Sequence, residues 1–201
     1  MIRPIAAVLL AALCTVAAAQ APANPPVRIR GTVESLDGDN LTVKARNGER
    51  MKVKLADNFV VMGITKASVD DIASGKFIGT TTVGQRAGSL VAEEVHIFPE
   101  NMRGTGEGHY DWDLRPESKM TNANVANVVK MANDRVMSVK YKGGEKKILV
   151  TPKTAVVSYT PSSRSELKRG APVFVNAQRQ PDGTLKAPRV NVGLHGQVPP
   201  M

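Results

Sequence analysis

A chain that contains the same pattern twice must build its fold from repeated units, and this sequence contains one. Shifting it by 95 positions places Ser68 on Ser163, Asp71 on Glu166, Ile72 on Leu167 and Gly75 on Gly170. The same shift places Gly88 on Gly183, Leu90 on Leu185, Ala92 on Ala187, Val95 on Val190 and Ile97 on Val192. Nearer the start of each copy a shift of 96 serves, with Val43-Lys44 on Val139-Lys140 and Gly48-Glu49 on Gly144-Glu145. One residue gained or lost in a turn accounts for the slip. The duplication predicts a first module over 27–98, a second over 123–193, an unmatched segment 99–122 between them and a tail 194–201. Val33 and Val128 are expected as equivalent core positions.

Each copy has the rhythm of β-structure. Val27, Ile29 and Val33 alternate with Arg28, Arg30 and Glu34, the period-2 pattern of a half-buried strand. Asp37-Gly38-Asp39-Asn40 is a turn, and Leu41, Val43 and Ala45 alternate again. Asn47-Gly48 marks a tight hairpin because both residues tolerate φ > 0. Met51, Val53 and Leu55 form the return strand, and Phe59 to Ile64 a fourth. Ser68-Val69-Asp70-Asp71 has capping-box spacing with Gly75 as a stop, so one helical turn is expected there. Lys76 to Val83 and Leu90 to Phe98 complete the set. In the second copy Gly143-Gly144 replaces Asn-Gly, and Ser163-x-x-Glu166 is the better capping box by sequence. Short strands with one helical turn between the fourth and fifth predict an all-β protein of two tandem small OB-like β-barrels, since closure removes vulnerable strand edges. Small β-sandwiches are the alternative.

The pattern Ser-x-x-Glu-Leu-x-x-Gly-x-x-Val over Ser163 to Val173, followed by Asp-Gly-Thr-Leu-x-Ala-x-x-Val over Asp182 to Val190, resembles a domain-of-unknown-function family of exported bacterial β-barrel repeats. The resemblance covers both modules and not the segment between them. It implies a fold and a compartment, and it brings no catalytic residues. Chains of this appearance are sometimes labelled metal-transporter permeases, a label that the lack of a second long apolar stretch in the sequence contradicts.

The N-terminus points to the same compartment. Arg3 precedes an apolar run from Ile5 to Ala19, the length of a signal-peptide core and short for a membrane span. Ala17-Ala18-Ala19 offers a cleavage site, leaving Gln20 at the start of a Pro-rich lead-in to residue 26. The expected location is the periplasm. The alternative, a lipid anchor on Cys14, places bulky Leu13 where a small residue normally precedes the modified cysteine. Cys14 is the only cysteine, so cleavage leaves no thiol chemistry and no disulfide.

No H-E-x-x-H, C-x-x-C or G-x-S-x-G occurs, and the sequence predicts a binding or structural protein rather than an enzyme. His96 falls where the second copy has Asn191, and it is expected on the surface. The net charge of +9 is carried mostly by the second module, densest at Lys140, Lys142, Lys146, Lys147, Lys168 and Arg169. These form a candidate patch for an anionic envelope component, set against the plainer reading of a solvated face. Another protein is the other partner considered. Nucleic acid is not expected, because the strands have few aromatics for stacking bases. The unmatched segment gathers Glu107, His109, Tyr110, Asp111, Trp112 and Asp113. Tyr110 and Trp112 are candidate ligand contacts or packing anchors. Glu107, His109, Asp111 and Asp113 are candidate ligands for a divalent metal, the only cofactor considered.

Overall fold

The computed structural model describes residues 25–201, so the signal-peptide reading and Cys14 lie outside the described residues. The described chain is all-β, with twelve strands and three 3₁₀ turns. In the first copy these are β1 (Val27–Asp37), β2 (Asn40–Ala45), β3 (Arg50–Lys66), β4 (Phe77–Arg86) and β5 (Ser89–Ile97). β6 (Gly108–Asp111) lies in the unmatched segment, and β7 (Lys119–Lys130) leads into the second copy. There follow β8 (Arg135–Tyr141), β9 (Gly144–Val150), β10 (Ala155–Ser162), β11 (Pro172–Arg179) and β12 (Leu185–Gly193). Two strands expected over 51–64 are one, since β3 runs unbroken through Asp57-Asn58; in the second copy Thr151 to Thr154 divides the same stretch into β9 and β10. The capping box forms at Ser68, whose side chain and that of Asp71 exchange bonds with each other's backbone. It does not form at Ser163, whose hydroxyl instead meets that of Ser165. Among the described residues no helix is long and apolar enough to cross a membrane.

β1, β2, β3, β12 and β11 close into a five-stranded mixed barrel. Every neighbour in it is antiparallel except β12 and β3, which run parallel through pairs such as Val190↔Val61 and Val192↔Gly63. The other strands pack outside. β5, β4, β7, β8 and β9 follow one another in that order, and the parallel pairs Leu90↔Ile148 and Val91↔Leu149 bring β9 back beside β5. β10 joins the two sets, antiparallel to β3 and parallel to β5.

The pairing crosses the repeat boundary. The barrel takes three strands from 27–98 and two from 123–193, and the outer set takes β4 and β5 from the first copy. Residues 27–98 are therefore not closed on themselves. The connection from β3 through Ser68–Gly75 delivers β4 onto β7, where Ile78↔Ala123 and Thr80↔Thr121 pair, instead of back onto β1.

Burial follows the pairing. One core gathers Ile29, Val43 and Leu55 with Val173, Val175 and Val190. A second gathers Ile78, Ala92 and Val95 with Val125, Met137 and Ile148. Each is built from both copies. The equivalent of Val33 is Val125 and not Val128. Val33 exchanges backbone bonds with Gly170 and Ala171, and Val125 does the same with Gly75 and Lys76, the matched positions of the repeat. Both are 2% exposed. A bulge between Val125 and Asn127 then changes which face later residues occupy, and Val128 is only partly buried. Val33→Asp and Val125→Asp should each lower stability by about 3 kcal/mol or more in urea unfolding, since each buries an unpaired carboxylate. Val128→Asp should cost much less; equal losses at 125 and 128 would contradict this register.

Candidate functional site

The unmatched segment folds as an arm. β6 pairs with the start of β7 from Gly108↔Asn122 to Asp111↔Lys119, and the backbone N–H of Trp112 donates to the Ser118 carbonyl to close the turn. Alternation along this strand sends Tyr110 and Trp112 to one side. Trp112 meets Phe174 of β11 edge to face, with centroids 6.3 Å apart, and the Arg28 guanidinium lies 4.0 Å from the centre of its ring. A strand attached to β7 thus reaches across to β1 and β11 of the barrel.

Beneath the arm lies a cavity of about 700 Å³. Its wall is largely aromatic and apolar: Phe98, Tyr110, Trp112, Met120, Tyr159 and Phe174 contribute, with Met201 from the tail. Its polar groups include Arg28, Arg189, His96, Asn122, Asn176 and Asn191, and among the described residues no Asp or Glu lines it. Among the described residues, six buried side-chain polar atoms have no protein hydrogen-bond partner. Five of them belong to residues lining this cavity: Arg28 Nε, Trp112 Nε1, Asn122 Oδ1, Arg189 Nε and Asn191 Oδ1. Backbone carbonyls fix the amide orientations. Asn122 Nδ2 donates to the Thr105 carbonyl at 3.0 Å and Asn191 Nδ2 to the Phe174 carbonyl at 3.1 Å, which leaves both oxygens as the free acceptors. Groups buried in this way cost free energy until a partner arrives, so their concentration around one concavity makes it the candidate binding site.

His96 is not on the surface. It is 3% exposed, and its Nδ1 sits 3.0 Å from Oε2 of Glu94, itself 1% exposed. The other Glu94 oxygen accepts from the Thr81 hydroxyl at 2.7 Å. Phe98 and Tyr159 present edge-on contacts to the imidazole. Burial, with the neighbouring Glu94, pushes the Tyr159 hydroxyl well above the ordinary tyrosine range, so it stays protonated; it donates to Met201 Sδ. Gly79 makes room for this cluster: a Cβ there would come within 1.9 Å of His96 Nε2 and 2.5 Å of Asn122 Oδ1.

The four residues expected to ligate a metal are not brought together. Glu107 accepts from the Lys142 backbone N–H, and His109 Nδ1 is 2.8 Å from the Thr121 hydroxyl. Asp111 pairs with Lys119, and Asp113 with Arg30 at 2.7 Å and Arg28 at 3.5 Å. Burial and the nearby Lys146 and Lys119 lower the His109 pKa, and a hydrogen bond from Lys119 lowers that of Asp111. Burial pushes Asp113 up, but Arg30 and Arg28 outweigh it and hold it below the usual range. Each side chain has been taken by a different partner, and among the described residues no group of three His, Cys, Asp or Glu could hold a metal ion. The basic residues also separate. Lys140, Lys142, Lys146 and Lys147 belong to the β8–β9 hairpin, whereas Lys168 and Arg169 lie in the loop that bonds to β1.

No protein-family model, curated protein or solved structure matches the chain.

Proposed function

We propose that the protein is a non-catalytic, exported binding protein of the periplasm that holds a small ligand in the cavity under the 108–113 arm. The five unpartnered polar atoms around an aromatic wall carry this reading, and the volume suits a small organic molecule. The scaffold is read as two OB-like barrels that have exchanged strands. The order β7, β8, β9, β5, β4 repeats the order β1, β2, β3, β12, β11, and the ligand sits where the two meet. Among the described residues the His96 ring has Glu94 as its polar partner, an arrangement that suits recognition.

Native mass spectrometry of protein isolated from the periplasm tests this. The wild-type chain, beginning at Gln20, should carry an added small-molecule mass that Asn191→Leu reduces or abolishes. Wild-type protein with no added mass would sink the binding reading. A lipid on Cys14 would move the protein to the membrane.

A further inference from the structure

Resting on the cavity reading above, we infer that the ligand is an organic anion with a flat apolar body and at least one hydrogen-bond donor. The repeat itself directs attention to the cationic side of the cavity. Glu94 and His96 in the first copy occupy the positions of Arg189 and Asn191 in the second. In the first copy the acid is satisfied internally, by Thr81 and His96. In the second, Arg189 makes no ion pair among the described residues, and its Nε has no protein partner. It lies on β12 opposite Val60, at the cavity wall.

Arg28 stands at the same cavity with its Nε also unpartnered. The carboxylate nearest to it, Asp113, is about half exposed and is held more closely by Arg30. Two arginines therefore line a concavity with no Asp or Glu among its described lining residues, and the Trp112 indole N–H adds a third donor. Donors of this kind recognise a carboxylate, sulfonate or phosphate, and a partly dry wall strengthens the attraction. The free oxygens of Asn122 and Asn191 require the ligand to supply an N–H or O–H as well. Trp112, Phe174, Phe98 and Tyr159 offer ring faces and edges to a flat body.

Trp112 is the only tryptophan, so its emission reports on this cavity alone. The probes are anilinonaphthalene sulfonate and phenylnaphthylamine, which share rings and an N–H and differ in the sulfonate. The sulfonate should quench Trp112 by energy transfer and bind at least about tenfold more tightly than the neutral probe, the scale of a charge-assisted hydrogen bond. Arg189→Gln should weaken the sulfonate about tenfold and leave the neutral probe unchanged. Lys147→Gln, which removes the same charge on β9 outside the cavity lining, should change neither. Equal affinity for both probes, or loss of sulfonate binding in Lys147→Gln as well, would overturn the inference of an anion while leaving the cavity as a binding site. Failure of both probes to alter Trp112 emission would remove the cavity reading itself.

Discussion

Expressed alone, residues 25–103 should not give a folded monomer. β1 would lose its pairing with β11, and β3 its parallel pairing with β12, opening the barrel on two sides. The apolar residues left on β1, β2 and β3 would lose Val173, Val175, Val190 and Val192 as packing partners. A three-stranded remnant with bare edges and half a core is at or below the margin of stability in water. Circular dichroism and light scattering on the purified fragment check this. Co-expression with residues 104–201 should restore one complex with a cooperative unfolding transition. A dimer of the fragment would also agree with exchange, because β4 and β5 of a second copy could stand where β11 and β12 stood. A compact monomer of 25–103 that unfolds cooperatively would show that the first copy closes on itself, and the cross-repeat pairing would be wrong.

The contrast between what the sequence revealed and what it concealed has a physical pattern. Strands were legible because alternation such as Leu41, Val43 and Ala45 is a local signal, and so were turns such as Arg86 to Ser89, where Ala87 and Gly88 both take positive φ. Duplication was legible because matched turns and core positions survive as residue identity. Which copy pairs with which was not, since β11 and β4 carry equivalent residues and either could complete β1 by sequence alone. The register at Val125 was lost to a bulge that no residue type announces. At the site, the segment 108–113 was found by contrast with the repeat, and Tyr110 and Trp112 do line the cavity. The metal reading failed because spacing along a strand says nothing of the cations, Lys119, Arg30 and Arg28, waiting on neighbouring strands. His96 was misplaced for a related reason. Its match to a polar Asn191 suggested exposure, yet both are buried, His96 against Glu94 and Asn191 against the Phe174 carbonyl. One signal was present and unused: Glu94 against Arg189 is a reversal of charge at matched positions of a repeat.

That reversal makes Glu94 the position where a single substitution should do most damage. Its carboxyl is fully enclosed and holds two buried groups at once, the Thr81 hydroxyl at 2.7 Å and His96 Nδ1 at 3.0 Å. Glu94→Ala would leave both without a partner and a void beside them. Such losses in a closed site cost about 3–5 kcal/mol, well above the typical point mutation. For a chain of this length that corresponds to a fall in Tm of roughly 6–20 °C. Glu94→Gln preserves the volume and an acceptor oxygen, so its cost should be only about 1–2 kcal/mol. The pair of variants separates shape from chemistry, and Thr81→Val measures the hydroxyl's share. If the carboxyl organises the site, the losses from Glu94→Ala and Thr81→Val should fall short of additive in a double-mutant cycle, because the second change removes a partner already lost. The same Glu94→Ala protein, where still folded, should bind the cavity probes less well, since His96 is then free to leave the face of Gly79. A cost below about 1 kcal/mol for Glu94→Ala would mean that the buried network carries no weight in the fold.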